Sequence, residues 1–149
     1  TKRRKKLADA KLKSPNRPLP TIEIFRALIE PVGEEVEKQI SNKSGIIEII
    51  SRSFTEPANF LEKIHKRFFG ELSQIFMNEL KNSHPTAKEE DLYWNYHFAV
   101  SSMLGTLAQH RRINDFSFGR CNENAIQDMI ERLIIFVSNG FDAGIQNKK

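Results

Sequence analysis

The chain has a single cysteine, Cys121, among its 149 residues. That is too few for an internal disulfide framework or a cysteine-rich zinc module, and it suits a reducing, cytoplasmic setting. Long hydrophobic runs are also missing: nothing approaches the roughly 18 apolar residues of a membrane span, and no secretory signal pattern opens the sequence. Seven glycines and six prolines exclude collagen-like and low-complexity classes. Catalytic signatures are absent as well. There is no H-E-x-x-H, no histidine pair at helical spacing, no G-x-S-x-G, no phosphate-binding loop and no dinucleotide fingerprint. Glu62-Lys63-Ile64-His65 is half of a di-iron motif, but His84, His97 and His110 lack a glutamate three positions earlier, so the other half does not exist. Cys121 sits in a glycine-containing stretch without a base to activate it. These absences predict a protein that is not an enzyme and holds neither metal nor cofactor. The first residue, Thr1, is not Met, which fits a piece of a longer or processed protein.

What is present describes a single ordinary domain: 39% of residues are hydrophobic and 28% charged, enough of the former to build a core. The net charge of +4 is unevenly placed. Residues 1–17 hold eight Lys or Arg against the one acid Asp9, so the remainder is mildly acidic, with a net charge of −3. A domain that grips duplex DNA by itself spreads positive charge over its folded face, and this one does not. The basic run reads as a solvated terminus, the alternative being that it touches phosphates in the intact protein.

Hydrophobic periodicity predicts an all-α protein of about six helices. Residues 1–13 form a charged helix, followed by a breaker-rich connection through Pro15, Pro18 and Pro20,. Thr21 caps a helix whose stripe is Phe25, Leu28, Ile29 and Val32,. Pro31 and Gly33 are expected to interrupt it, with a short polar helix continuing to about Ile40. Ser44 to Phe54 is read as a helix; its isoleucines would also suit a strand, but no second strand exists to pair with them. A long helix follows from Glu56-Pro57 to about Lys81. The box Thr86-Ala87-Lys88-Glu89 launches another to about Arg111. A turn spans Asn114 to Asn122, and the last helix runs from about Glu123 to Asp142.

The last two long helices are apolar almost all round. From Leu92 to Ala108, Tyr93, Trp94, Phe98, Met103, Leu104 and Leu107 point in many directions. From Ile126 onward so do Met129, Ile130, Leu133, Ile134, Ile135, Phe136, Val137 and Phe141. Such helices must be covered all round, and a second copy is the natural cover. The expected two-fold homodimer pairs them in a four-helix bundle through the small residues Ser101, Gly105 and Ala108 and through Ile126, Met129, Ile130, Leu133, Val137 and Phe141. The alternative is that they form the central core of a monomer.

Glu56-Pro57, Arg67-Phe68, Trp94-Asn95-Tyr96-His97-Phe98 and Gly105-Thr106-Leu107 come in this order behind a basic helix and a proline-rich break. The set resembles the C-terminal half of TetR-family transcriptional regulators, with most likeness to the branch whose effectors are often acyl compounds. The resemblance covers essentially the whole chain. It implies that residues 1–19 are the stub of a linker helix with its connection, and residues 20–149 an effector-binding and dimerisation domain. The helix-turn-helix that would read operator DNA is not in the sequence, so operator DNA would be met only through that absent N-terminal part. The implied role is the sensing half of a bacterial repressor; the alternative is a small helical carrier for an apolar metabolite.

The resemblance also implies a cavity for a small hydrophobic effector. Phe25, Ile49, Phe54, Phe60, Ile64, Phe68, Tyr93, Trp94, His97, Phe98 and Met103 are the candidates for its wall, with His97 and Trp94 as polar points among aromatics,. Aromatic stripes at helical spacing make a filled core equally well.

Overall fold

The structure is a computed structural model that describes residues 1–42, 66 and 70–146. Among these are six helices and no strand: α1 (Lys2–Lys13), α2 (Thr21–Asn42), α3 (Gly70–Ser83), α4 (Glu89–Ala108), α5 (Arg112–Phe116) and α6 (Ile126–Gln146). No described helix is long and apolar enough to cross a membrane. The expected helix from Ser44 and the start of the long helix at Glu56 lie outside the described residues, as does the Glu62–His65 half-motif.

Two helices, α2 and α6, organise the packing: α2 lies against α1, α3 and α6, and α6 is held between α2 and α4. The stripe expected on α2 is there, with Phe25, Leu28, Ile29 and Val32 all buried. Phe25 meets Phe141 of α6 edge-on at 5.4 Å between ring centroids. Burying side chains of this size is worth about 1.5–3 kcal/mol each, which is why the stripe decides where the helix lies.

Contrary to the expected break, α2 continues without interruption through Pro31 and Gly33. Pro31 removes one hydrogen bond to the carbonyl four residues back, a cost of about 3 kcal/mol in a helix interior. Ile29 and Val36, on either side of it, are both buried to within 1%, so packing outweighs the local defect. Gly33 serves a close approach. A Cβ placed there would lie 2.5 Å from Ile130 Cγ1 and 2.9 Å from Cδ1. Gly144 is a second such point on α6, where a Cβ would overlap the side-chain amide of Asn95 on α4.

Other boundaries shift too. The helix α4 starts at Glu89 with Lys88 as its cap and no side-chain cap bond, so the Thr86–Glu89 box is not used. Glu89, Glu90 and Asp91 in the first turn instead set negative charge against the helix N-terminus. The helix ends at Ala108 rather than near Arg111, and the short α5 occupies part of the expected turn. The chain then reverses through Phe118 at φ 54° and Gly119 at φ 77°. Near the other end of the molecule, Thr21 donates to Asp142 Oδ1 at 2.6 Å, and His84 Nε2 lies 3.1 Å from the same oxygen. This contact ties the starts of α2 and the ends of α3 and α6 together.

The basic terminus is seated on the body along one side, while most of its charged residues stay exposed. Leu7 of α1 is buried, and the charges around it are met by acids of the body. Lys6 Nζ donates to Glu30 at 2.6 Å and to Glu34 at 3.0 Å, Lys11 to Glu79 at 2.5 Å, and Arg4 to Glu71 at 2.9 Å. Between α2 and α6, Arg26 forms a bidentate pair with Glu131 at 2.6 and 2.8 Å. Partial burial works against the Lys6 ammonium, yet its bonds to Glu30 and Glu34 prevail and its pKa lies above that of a free lysine. The hydrogen bond from Lys6 lowers the pKa of Glu34, and that from Arg26 lowers the pKa of Glu131. Exposed pairs contribute about 0–1 kcal/mol each, so Leu7 anchors α1 and the ion pairs set its register.

Two outcomes follow. Alanine for glycine normally stabilises a helix interior by about 1 kcal/mol, but Gly33→Ala is expected to destabilise by about 1–3 kcal/mol because of Ile130. Adding Ile130→Val should recover part of the loss, as chemical denaturation of the single and double variants will show. Second, Glu34 and Glu131 have lowered folded pKa values, so their contribution is complete above the ordinary glutamate value of about 4.3 and fades as pH falls through the lower folded values. Denaturation midpoints measured from neutral to strongly acid pH should fall over that window, with a shallower fall for Glu131→Gln and for the wild type at high salt.

Candidate functional site

The positions Trp94, Phe98, Ser101 and Gly105 recur at intervals of three and four residues, so they share one face of α4. Trp94 is 54% exposed and Phe98 is 55% exposed, unusual for aromatic side chains of this size. Their rings are 5.8 Å apart, with His97 6.3 Å from Trp94. Beside them α6 exposes Ile135 and, at 69%, Phe136, followed by Asn139 and Gly140. The two helices run antiparallel. Asn95 meets Gly144 at one end, while Gly105 and Thr106 share a groove with Met129, Leu133 and Phe136 at the other. Their outward faces therefore form one continuous surface, aromatic at one edge and small in the middle. Continuous apolar surface of this kind is a candidate binding face.

The residues expected at the interface divide. Ser101 lies on this surface, and Gly105, Ala108 and Met129 are half-buried beside it. Ile126, Ile130, Leu133, Val137 and Phe141 are instead covered by their own chain, each at most 6% exposed. The reason is the position of α6: that stripe faces α2 and α4, and only the opposite stripe, with Ile135 and Phe136, is left over. The signal for Phe136 was present in the all-round apolarity of α6; what was missing was which side its own chain covers.

The expected cavity wall divides similarly. Phe25 and Met103 are buried in the packed core, at 0% and 1% exposure. Tyr93, Trp94, His97 and Phe98 point outward, with Lys81 Nζ 5.2 Å from the centre of the Tyr93 ring. Ile49, Phe54, Phe60, Ile64 and Phe68 lie outside the described residues. The described part of the chain does not bring these residues together around one interior space. Tyr96, on the inner side of α4, is the polar aromatic that is enclosed. Burial raises the pKa of its phenol, which donates to Ser73 Oγ at 3.4 Å and lies near the guanidinium of Arg3 on α1.

At the end where α4 stops and α6 begins, a groove of about 910 Å³ opens between α4, α5, the connecting loop and α6. Met129 and Leu133 give it an apolar floor and the exposed Ile113 and Phe116 an apolar rim, and Arg112, Arg120 and Arg132 line it as well. Among the described residues no group of three or more His, Cys, Asp or Glu is placed to hold a metal ion.

The sequence pattern of a family described as "Tetracyclin repressor-like, C-terminal domain" matches residues 26–140. A comparison with curated proteins finds no match.

Proposed function

The chain belongs to the family of tetracycline-repressor-like C-terminal domains, and from that premise we propose that it is the ligand-sensing and dimerising half of a cytoplasmic transcriptional repressor. The single observation that carries this reading is the exposed apolar face shared by α4 and α6. Two copies meet across it about a two-fold axis, giving a four-helix bundle of α4, α6 and their mates. Trp94, Phe98 and Phe136 are the anchors; Ser101, Gly105 and Gly140 let the helices approach closely.

The effector in this reading is small and hydrophobic, with acyl compounds among the candidates. Its site draws on Ile49, Phe54, Phe60, Ile64 and Phe68 together with the inner faces of α2 and α4. The operator is read by a helix-turn-helix that would precede α1, and the effector changes how far apart two such readers stand relative to two half-sites. Family members of this kind regulate rather than catalyse, and the chain's own lack of a catalytic constellation supports the same role.

Sedimentation velocity tests the interface. The wild type should sediment as a dimer at micromolar concentration. Phe98→Arg and Phe136→Arg, both at exposed positions, should leave the fold of one subunit intact. Each removes an anchor from both sides of a symmetric contact, so about 4 kcal/mol of association is lost, a weakening of roughly a thousandfold. Trp94 is the one tryptophan in the chain, and its emission should move to longer wavelength in the Phe136→Arg monomer. A monomeric wild type, or a dimer indifferent to both substitutions, would overturn the reading.

A further inference from the structure

None of the described residues expected to wall an effector cavity lines the groove at the α4–α6 junction, and the groove meets the proposed interface at Gly105, Met129 and Phe136. Its volume of about 910 Å³ is that of a small-molecule site. Three features of its lining point to one kind of occupant.

The apolar lining from Ile113 and Phe116 on α5 and Met129 and Leu133 on α6 suits an apolar chain. The charge of the lining is positive in excess, with Arg112, Arg120 and Arg132 against Glu123 and Asp128. Arg132 Nε is committed to Asp128 at 2.8 Å, whereas Arg112 and Arg120 form no ion pair among the described residues. The third feature is His110, only 7% exposed and part of the same lining. Its Nδ1 lies 3.1 Å from the Leu107 carbonyl, an acceptor, so the neutral ring carries its proton there. Nε2 is then an acceptor with no hydrogen-bond partner among the described residues. It is not among the enclosed polar atoms left without a partner, so water reaches it, and a ligand donor in the groove would replace that water.

We propose that the groove binds an apolar acid carrying a hydrogen-bond donor close to its carboxylate, as an N-acyl amino acid does. The carboxylate pairs with Arg112 and Arg120, the bidentate geometry arginine favours. The amide N–H donates to His110 Nε2, and the acyl chain lies over Ile113, Phe116, Met129 and Leu133. This inference requires neither the dimer nor the internal effector site.

Cys121 makes the test site-specific. It is the one thiol in the chain, it is exposed, and it lines this groove. The rate of its alkylation by iodoacetamide is measured on the full chain with and without N-decanoylglycine, kept below its micellar concentration. Occupancy of the groove should slow alkylation several-fold. The uncharged N-decanoylglycinamide should protect far less, and decanoate, lacking the N–H, less than N-decanoylglycine. Arg112→Ala with Arg120→Ala should abolish protection while the thermal melt is kept, since both side chains are exposed. His110→Phe should erase the difference between N-decanoylglycine and decanoate; should that variant fail to fold, the arginine variant and the two control ligands still decide. Unchanged alkylation at concentrations where calorimetry shows the acid bound elsewhere, absence of binding altogether, or equal protection by the neutral amide would each overturn the proposal. Sedimentation of the same samples reports the dimer independently, so failure of one idea is distinguishable from failure of the other.

Discussion

Everything else in this molecule depends on how closely α2 and α6 approach each other. Gly33 is the residue that permits it, because any side chain at that position would occupy the space of Ile130. Once the helices lie that close, Arg26 reaches Glu131 with both guanidinium nitrogens, and Phe25 meets Phe141 edge-on. The unbroken passage of α2 through Pro31 belongs to the same constraint. A break there would turn Val32 and Val36 away from α6 and expose side chains that are otherwise buried, a larger loss than one missing hydrogen bond.

The approach also determines what is left outside. A helix can present one stripe to α2 and one to α4; the third side of α6, with Ile135 and Phe136, has nothing from its own chain to cover it. The outer face of α4 is in the same position, since α3 takes its inner side. The exposed aromatic surface is therefore a consequence of the core arrangement rather than a separate feature of the sequence. Mutating Gly33 or Ile130 and mutating Phe136 should consequently be read on different scales, the first pair as stability of a subunit and the last, under the proposed reading, as its association.

Element type was legible in the sequence because burial is periodic: the Phe25–Val32 stripe, the two long C-terminal helices and the basic first helix all follow from spacing. Boundaries and partners were not. Pro31 and Gly33 look like breakers to any local rule, and only the neighbour 97 positions away shows why the helix passes through them. Arg26 and Glu131 are separated by 105 residues and carry no joint signal. The pairing of Arg4, Lys6 and Lys11 was not legible because their acids, Glu30, Glu34, Glu71 and Glu79, are scattered over two other helices. Of the residues expected at an interface, five lie on the side that the chain itself covers. All-round apolarity says that two sides need cover without saying which side the chain covers itself. The groove was invisible for another reason: it depends on α4 ending at Ala108, a few residues before periodicity suggests, which sets His110 and Arg112 in its lining.

These contacts also form a mechanical series. On α6, Phe136 belongs to both the groove lining and the outer face, and Glu131, a little over one turn away, holds Arg26 of α2. One turn further along α2, Glu30 and Glu34 hold Lys6 of α1. Charge pairs thus connect α6 to α1 beside the core contacts of Gly33 with Ile130 and Phe25 with Phe141, while Leu7 keeps α1 seated. Under the proposed reading α1 is the segment nearest the DNA reader, so this series is where a ligand would act. It acts only if it favours one arrangement over the other, because equal affinity for both shifts nothing. Reversing a one-in-a-hundred population takes about 5.5 kcal/mol of differential affinity. Three or four exposed ion pairs at about 0–1 kcal/mol each are weak enough to be rearranged within that range, and the buried stripe of α2, worth several times as much, is not. The charged seams can therefore move while the core between them stays fixed.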